Sequence, residues 1–293
     1  MNPITIKDVL EKTTRFFSDK GIESSRLDAE LLISSALNWE RMKIYLNYQY
    51  PLNETELTSC RDLVRRRAGG EPVAYILGKK GFYNHDFVVT PDVLIPRPET
   101  EMIVDDATAW LRPQATQFIV DIGCGSGCIG LSLLAELPDA RLLAVDISEG
   151  AIAVAKLNAE QIGVTDRATF LCRDAAGLTP EEVSAVFSAP ADAVVANPPY
   201  IAPGDPLVQP GVKNFEPGLA LFSEDRGLSH IRGWARVAAR VARPGAFVMF
   251  EMGHDQALSA REIFAMDYSD VIIKRDLAGH DRYVRAFVGV TNG

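Results

Sequence analysis

The stretch FIVDIGCGSG, from Phe118 to Gly127, decides the fold of this chain. It begins as an apolar strand and ends in a loop of alternating glycines, and a helix is predicted to open at Cys128. Glycines in such a loop allow positive φ and a close backbone approach to a ligand, while the helix start offers free N–H groups. The stretch therefore predicts a strand, a ligand-binding loop and a helix in succession.

Helix and strand alternate on both sides of this stretch. Alternation at this spacing is typical of a mostly parallel, doubly wound (Rossmann-like) sheet with helices on both faces. We therefore expect an α/β fold with a seven-stranded sheet, whose ligand lies at the carboxyl ends of the strands beside the switch in strand order. Helices are predicted at 99–111, from 128 and from 149, and strands at 117–122, at 141–146 and near 168, 191, 245, 270 and 283.

The first seventy residues predict a small bundle of four or five helices. Two sequence patterns indicate helix N-caps: Ser25 precedes Asp28, and Asn53 has Glu56 three residues on. Apolar positions recur at helical spacing in Ile6 to Phe17, Leu27 to Leu37 and Leu57 to Ala68. After the bundle, residues 79 to 91 predict a hairpin that joins it to the main domain.

The glycine loop fits two classes of cofactor. Gly125, Gly127 and Gly130 satisfy the G-x-G-x-x-G spacing of a dinucleotide site. Asp146 follows the next strand, about 20 residues on, where an acid usually binds ribose hydroxyls. However, the run from Asp121 to Gly127 also fits the acid-plus-glycines loop of S-adenosylmethionine-dependent methyltransferases. The loop by itself does not choose between the two cofactors.

The tetrapeptide Asn197-Pro198-Pro199-Tyr200 favours methyl transfer. It follows Ala191 to Ala196, an apolar run that predicts a buried strand. The Asn oxygen and a Pro carbonyl can accept both hydrogens of a planar –NH2 group, while the Tyr ring packs against its plane. Such a grip aims the nitrogen lone pair at an electrophile. A hydride transferase has no need to hold an –NH2 group in this way.

The chain resembles the bacterial protein-(glutamine-N5) methyltransferases that modify peptide chain release factors. Besides the two motifs, the resemblance rests on Gly70 to Tyr75, Leu94 to Glu101, Phe215 to Pro217 and Glu251 to Gly253. It implies a cytoplasmic enzyme that uses S-adenosyl-L-methionine to methylate the glutamine of the Gly-Gly-Gln loop in the release factors of translation termination. The alternative substrates are a ribosomal-protein glutamine and a nucleic-acid base amine. A more remote alternative is that the chain is a nicotinamide-dependent oxidoreductase.

The same resemblance implies the division of the chain and its site residues. Residues 1–72 would recognise the substrate, 73–98 form the hairpin linker, and 99–293 form the methyltransferase domain. Many family members have an aromatic residue over the adenine where this chain has Ala175, so stacking is expected from elsewhere. The predicted catalytic residues are Asn197, Pro198, Pro199 and Tyr200, and the predicted cofactor-binding residues are Asp121, Gly123, Cys124, Gly125, Ser126, Gly127, Asp146, Asp174, Ala175 and Asn197.

Composition narrows the partners of this chain. A net charge of −9 disfavours a broad nucleic-acid footprint, because phosphate contacts need clustered Lys and Arg. Arg65 to Arg67 ends a helical pattern, where cations complement the helix dipole. The four cysteines do not form a zinc pattern, and no metal site is predicted. No run approaches the length of a membrane span. The cysteines and the absence of a signal-peptide pattern favour a reduced, cytoplasmic protein. We also expect a monomer that binds no nucleic acid stably.

Overall fold

The structure is a computed structural model that describes residues 3–115 and 117–289. The chain divides into two compact units. The first takes in the chain up to Gly78 together with Gln209–Phe215, and the second takes in Lys79–Val208 and the chain from Glu216 onward.

The larger unit contains a hairpin and a mostly parallel sheet. The strands are β1 (Lys79–Phe82) and β2 (His85–Val88) of the hairpin, then β3 (Phe118–Ile122), β4 (Arg141–Asp146), β5 (Ala168–Cys172), β6 (Ala191–Ala196), β7 (Ala242–Glu251), β8 (Tyr268–Arg275) and β9 (Asp281–Val288). In the described part of the chain, the sheet has seven strands in the order β5-β4-β3-β6-β7-β9-β8, and β9 runs antiparallel to the other six. The predicted fold class is confirmed.

Helices cover both faces of this sheet because its central strands are apolar on both sides. Val120 of β3 belongs to one buried cluster with residues of the helices at 180–187, 229–241 and 257–264, and its neighbour Ile119 belongs to a second cluster with residues of the helices at 101–111, 128–136 and 149–162. All six residues of β6 are buried. The helices of this unit are α6 (Glu101–Leu111), α7 (Cys128–Glu136), α8 (Glu149–Ile162), α9 (Pro180–Phe187), α11 (Gly218–Leu221), α12 (Ser229–Val241) and α13 (Ala257–Phe264).

The strand order reverses between β3 and β6. Strands β4 and β5 follow on one side of this pair and β7 on the other, so the connections leave the sheet in opposite directions. The loops after β3 and β6 therefore diverge at their carboxyl ends and leave a crevice between them. The glycine loop begins at Gly123, directly after β3, and Asn197 follows β6, so both motifs lie at this crevice.

The smaller unit is the predicted helical bundle. Its helices are α1 (Ile6–Asp19), α2 (Ser25–Ala36), α3 (Arg41–Leu46), α4 (Glu54–Ala68), α5 (Val73–Leu77) and the later α10 (Pro210–Phe215). Asn53 and Glu56 form the predicted capping box at the start of α4. The predicted cap at Ser25 is wrong by one residue: Ser24 occupies the cap position and its side chain makes no capping hydrogen bond.

The segment from Pro203 to Pro217, whose four prolines favour a loop, is partly helical. Residues 210 to 215 form α10, which Pro210 permits because its missing N–H is not needed in a first helical turn. This helix contacts the bundle at Gly70, where an added Cβ would lie 3.5 Å from the Phe215 ring. Among the described residues, no helix is long and apolar enough to cross a membrane.

Candidate active site

A cavity of about 230 Å³ lies at the carboxyl ends of β3, β4, β5 and β6. Each of these strands contributes the polar residue or loop that the sequence predicts there. Nine predicted site residues line the cavity: Gly123, Cys124, Gly125, Ser126, Asp146, Asp174, Ala175, Asn197 and Pro199. The other four, Asp121, Gly127, Pro198 and Tyr200, are not among its lining residues. The cavity therefore brings the cofactor motif and the acceptor motif to one place.

The three glycines of the loop meet different requirements. All have positive φ, of 69° at Gly123, 54° at Gly125 and 80° at Gly127. An added Cβ at Gly123 would lie 2.5 Å from the Trp234 ring, and one at Gly127 would lie 2.7 Å from a Leu131 methyl group. At Gly125 an added Cβ would meet nothing within 4 Å. Gly123 and Gly127 therefore allow close packing, and Gly125 leaves the backbone open to a ligand.

Asp146 closes the glycine loop from the end of β4. Its Oδ2 accepts a hydrogen bond from Gly125 N and its Oδ1 accepts one from Ser148 N, both at 2.9 Å. Burial raises the pKa of this carboxyl, and the backbone N–H groups of Ser148 and Gly125 oppose that rise. Each carboxylate oxygen keeps a second acceptor site. Asp146 can therefore hold the loop and accept hydroxyl groups from the cavity side.

Asp121 lies behind the loop. Its Oδ2 accepts a hydrogen bond from Gly130 N at 3.0 Å, and the residue is 1% exposed. Burial, together with the nearby charge of Asp146, raises the pKa of Asp121 to about 7. In the part of the chain that the structure describes, its Oδ1 makes no hydrogen bond. The carboxyl thus ties the start of α7 to β3, and its direct contact with a cofactor stays a prediction.

Aromatic residues line the cavity near Ala175, the position for which stacking is expected from another residue. His230 and Trp234 on α12 both line it, with their rings edge to face at 5.5 Å between centroids. Burial lowers the pKa of His230, which favours its neutral form, and its Nδ1 lies 2.8 Å from Ser223 Oγ. In the sequence, the only signal for these two residues is an aromatic i, i+4 pair on an amphipathic helix.

Asp174 lies at the same end of the cavity. Its Oδ1 accepts a hydrogen bond from Ala176 N at 2.9 Å, so it caps the short turn that contains Ala175. The carboxylate retains further acceptor sites, and its contact with an adenine amine stays a prediction.

A buried hydrogen-bond network holds the acceptor motif. Asn197 Nδ2 donates to Thr100 Oγ1 at 3.3 Å, and the Thr100 hydroxyl donates to Glu251 Oε2 at 2.6 Å. The Tyr200 hydroxyl donates to the other carboxylate oxygen, Oε1, at 3.0 Å. Burial raises the pKa of Glu251, and the two hydroxyl donors oppose that rise. From the sequence, Thr100 and Glu251 were only markers of resemblance, because nothing local connects them to Asn197.

The backbone of Tyr200 is fixed as well. Its carbonyl accepts a hydrogen bond from Gln256 Nε2 at 2.9 Å, and an added Cβ at Gly227 would lie 2.0 Å from the same oxygen. The Tyr200 ring packs against a core cluster. Its predicted packing on the plane of an acceptor amide stays a prediction.

An ion pair joins two segments at the acceptor side of the cavity. Arg97 Nη2 lies 2.5 Å from Glu216 Oε1, and Ile95 N donates to the other oxygen of Glu216 at 3.1 Å. Glu216 is buried, so Arg97 neutralises a charge that burial disfavours. Beside it, Leu219 lines the cavity although it is 74% exposed, which gives the site an apolar rim.

Comparison with protein families gives two matches. Residues 8–78 match the PrmC N-terminal domain, and residues 101–209 match the methyltransferase small domain. The catalytic domain of hMettl16, solved with an RNA hairpin, shares the fold with a TM-score of 0.52 at 18% identity; it covers 70% of this chain and 76% of that one.

Curated relatives match almost the whole chain. The release factor glutamine methyltransferase of Geobacter sulfurreducens is 40% identical over 287 residues, which cover 97% of each chain. The protein of the same name from Chlorobaculum tepidum is 37% identical over 95% of each chain. Similarity at this level and coverage extends over both compact units.

Proposed function

This chain belongs to the family of release factor glutamine methyltransferases, and from that premise we propose that it N5-methylates the glutamine side-chain amide in the Gly-Gly-Gln loop of peptide chain release factors. S-adenosyl-L-methionine is the methyl donor. The observation that carries this proposal is that the glycine loop and two residues of the acceptor motif, Asn197 and Pro199, line one cavity.

The residues of the cavity fit this cofactor. Gly125 leaves open space in front of its backbone, and Asp146 has free acceptor sites for ribose hydroxyls. His230 and Trp234 offer aromatic surface near Ala175 that suits a purine ring. When bound, S-adenosyl-L-methionine supplies a methyl group on a positively charged sulfur, whose loss leaves a neutral thioether.

Asn197 orients the acceptor in this account. A glutamine amide nitrogen is a poor nucleophile because its lone pair is delocalised into the carbonyl. The Asn197 oxygen and the Pro198 carbonyl accept its two hydrogens, so the lone pair points out of the grip. These acceptors also stabilise the positive charge that grows on the nitrogen, whose extra proton then leaves to water. Alignment of this kind can lower a barrier by about 7–11 kcal/mol.

Transfer of a labelled methyl group tests this function. Recombinant release factor is incubated with labelled S-adenosyl-L-methionine and either the wild-type protein or Asn197→Ala. We expect label in the release factor with the wild type and a loss of about 10²–10³ in rate with the variant. Calorimetry should show cofactor affinity within a few-fold of the wild type. The control is Asn84→Ala, since Asn84 is exposed in the hairpin turn.

We propose further that the helical residues 1–72 dock on the release factor and that the protein acts in the cytoplasm as a monomer without stable nucleic acid. The arginines at the end of α4 support the last point. Arg66 pairs with Glu71 at 2.5 Å and Arg67 pairs with buried Asp28 at 2.7 Å, so neither charge is unpaired. Light scattering tests whether the protein is a monomer, and a gel-shift assay with RNA tests whether it binds nucleic acid stably.

A further inference from the structure

We propose that Glu251 and Thr100 are positioning residues that fix the side-chain amide of Asn197 with its oxygen toward the acceptor. This inference rests on the proposed function and adds to it. The acceptor motif alone supplies an amide, but an amide can bind in two orientations that place either its oxygen or its nitrogen in the cavity. Only the first can accept a hydrogen from a substrate amide.

The orientation follows from counting hydrogens along the network. With Glu251 as a carboxylate, the form that the Thr100 and Tyr200 hydroxyls and the nearby charge of Arg282 favour, the residue only accepts hydrogen bonds, so the single hydrogen of the Thr100 hydroxyl goes to Glu251 Oε2, 2.6 Å away. Thr100 Oγ1 can then only accept from its other neighbour, Asn197. The Asn197 atom that faces Thr100 must therefore be the donor Nδ2. The amide oxygen is left over, and in the described residues it has no hydrogen-bond partner.

Glu251 itself is held in place. Its second oxygen, Oε1, accepts from the Tyr200 hydroxyl at 3.0 Å, so both carboxylate oxygens have one fixed donor. The residue is 1% exposed, and Thr100 is equally buried, so water has little access to either contact. Reversing the Asn197 amide would bring its oxygen against the acceptor lone pairs of Thr100 in this buried setting, which is unfavourable.

The network is also rigid. Glu251 is the last residue of β7, and its neighbour Phe250 pairs with Ala196 in the register between β7 and β6. Asn197 directly follows Ala196. The sheet therefore fixes the distance between the carboxylate and the acceptor motif, and Thr100 bridges the gap between them.

Glu251→Gln is the matched substitution, because it keeps the shape and replaces one acceptor by an –NH2 donor. That donor can bond to Thr100 Oγ1, which frees the Thr100 hydrogen for the Asn197 oxygen and favours the reversed amide. Thr100→Val removes the bridge, and Thr100→Ser keeps it. The substitutions are compared with the wild type on intact release factor for kcat, KM, cofactor Kd and melting temperature.

We expect Glu251→Gln and Thr100→Val to lower kcat about 10- to 100-fold. KM for the release factor and Kd for S-adenosyl-L-methionine should stay within a few-fold, and Thr100→Ser should retain near-normal kcat. Because both residues act through Asn197, the double variant should lose little more than the worse single variant.

Several results would overturn the inference. Wild-type kcat in Glu251→Gln would do so, and so would a Thr100→Ser variant as slow as Thr100→Val. A loss of cofactor affinity or of melting temperature parallel to the loss of kcat would show a merely structural role. If Glu251→Gln fails to fold, the two Thr100 variants still decide. An inactive wild type would instead contradict the proposed function, so the two failures are distinguishable.

Discussion

At the scale of single residues, Asp146 both holds the glycine loop and lines the cavity. It receives the N–H groups of Gly125 and Ser148, and its remaining acceptor sites face a cavity that suits a nucleoside. Asp146→Ala should weaken S-adenosyl-L-methionine binding by about 2–4 kcal/mol, because charged hydrogen bonds to the ribose are lost and the loop is loosened. Calorimetry measures this change. Asp166→Ala, an exposed acid on the same unit, should leave the affinity unchanged.

Asp121 makes stability depend on pH. Burial raises its pKa to about 7, above its ordinary value near 4, so the folded chain holds a proton that the unfolded chain releases in this range. Its contribution to stability is therefore present at low pH and lost as pH rises through about 7. Urea unfolding at pH 5.5 and pH 8 should give a smaller free energy of unfolding at the higher pH.

Asp121→Asn tests the source of that loss, because the amide cannot titrate and its oxygen can still accept from Gly130. The drop between the two pH values should become smaller than in the wild type. Any drop that remains in the variant belongs to other groups of the chain. An unchanged drop in the variant would mean that Asp121 is ionised in the folded state and titrates normally.

At the scale of elements, the turn before α12 supports the acceptor motif through Gly227. This residue has φ +85°, and an added Cβ would lie 2.0 Å from Tyr200 O and 2.5 Å from Gln256 Nε2. Gly227→Ala should therefore destabilise the fold by about 2 kcal/mol or more and slow methyl transfer. The matched control is Gly233→Ala in α12, where nothing lies within 4 Å and alanine favours the helix. Equal melting temperatures for the two variants would contradict the close approach.

The elements that the sequence predicts well are those set by local patterns. Strand β4 lies at its predicted bounds, because an apolar run between polar residues and turns fixes both ends. The helix α10 was not predicted, since a segment with four prolines and few apolar positions has no helical periodicity. The Phe215 ring of this helix lies beside Gly70, which is distant in the chain. The family prediction is confirmed by the relatives, while the role of each site residue stays a prediction.

The site residues likewise fall into those that local sequence patterns predict and those that depend on long-range contacts. The glycine loop, Asp146 and Asn197 were predicted because each follows a recognisable strand, and parallel strands bring their ends together. The contacts of Thr100 and Glu251 with Asn197 depend on the pairing of β6 with β7. No periodicity or spacing in the sequence reports such a long-range contact. The same holds for His230 and Trp234, which reach the cavity from α12.

At the scale of the whole molecule, selection of one glutamine among many requires a surface beyond the cavity. The helical unit exposes Met42 and Leu46 on one turn of α3, at 66% and 79%. We expect Met42→Ser with Leu46→Ser to raise KM for the intact release factor roughly tenfold and to leave KM for a short Gly-Gly-Gln peptide unchanged. Steady-state kinetics on both substrates measures the difference.

Substitution is a cleaner test than deletion of the bundle, because α10 packs with it and deletion would expose that contact. The control is Leu258→Ser with Met266→Ser, two exposed apolar residues of the other unit. Equal increases in KM for protein and peptide would mean that α3 takes no part in docking. Recognition would then have to reside near the cavity rim at Leu219.

The most direct test of the central claim is tandem mass spectrometry of a recombinant release factor after incubation with this protein and S-adenosyl-L-methionine. The account predicts one added methyl group, located on the side-chain amide nitrogen of the glutamine in the Gly-Gly-Gln loop. A release factor with glutamate at that position, which lacks the nitrogen, should gain no methyl group. A methyl group on any other residue, or none on a factor whose loop is intact while calorimetry shows bound cofactor, would contradict the account.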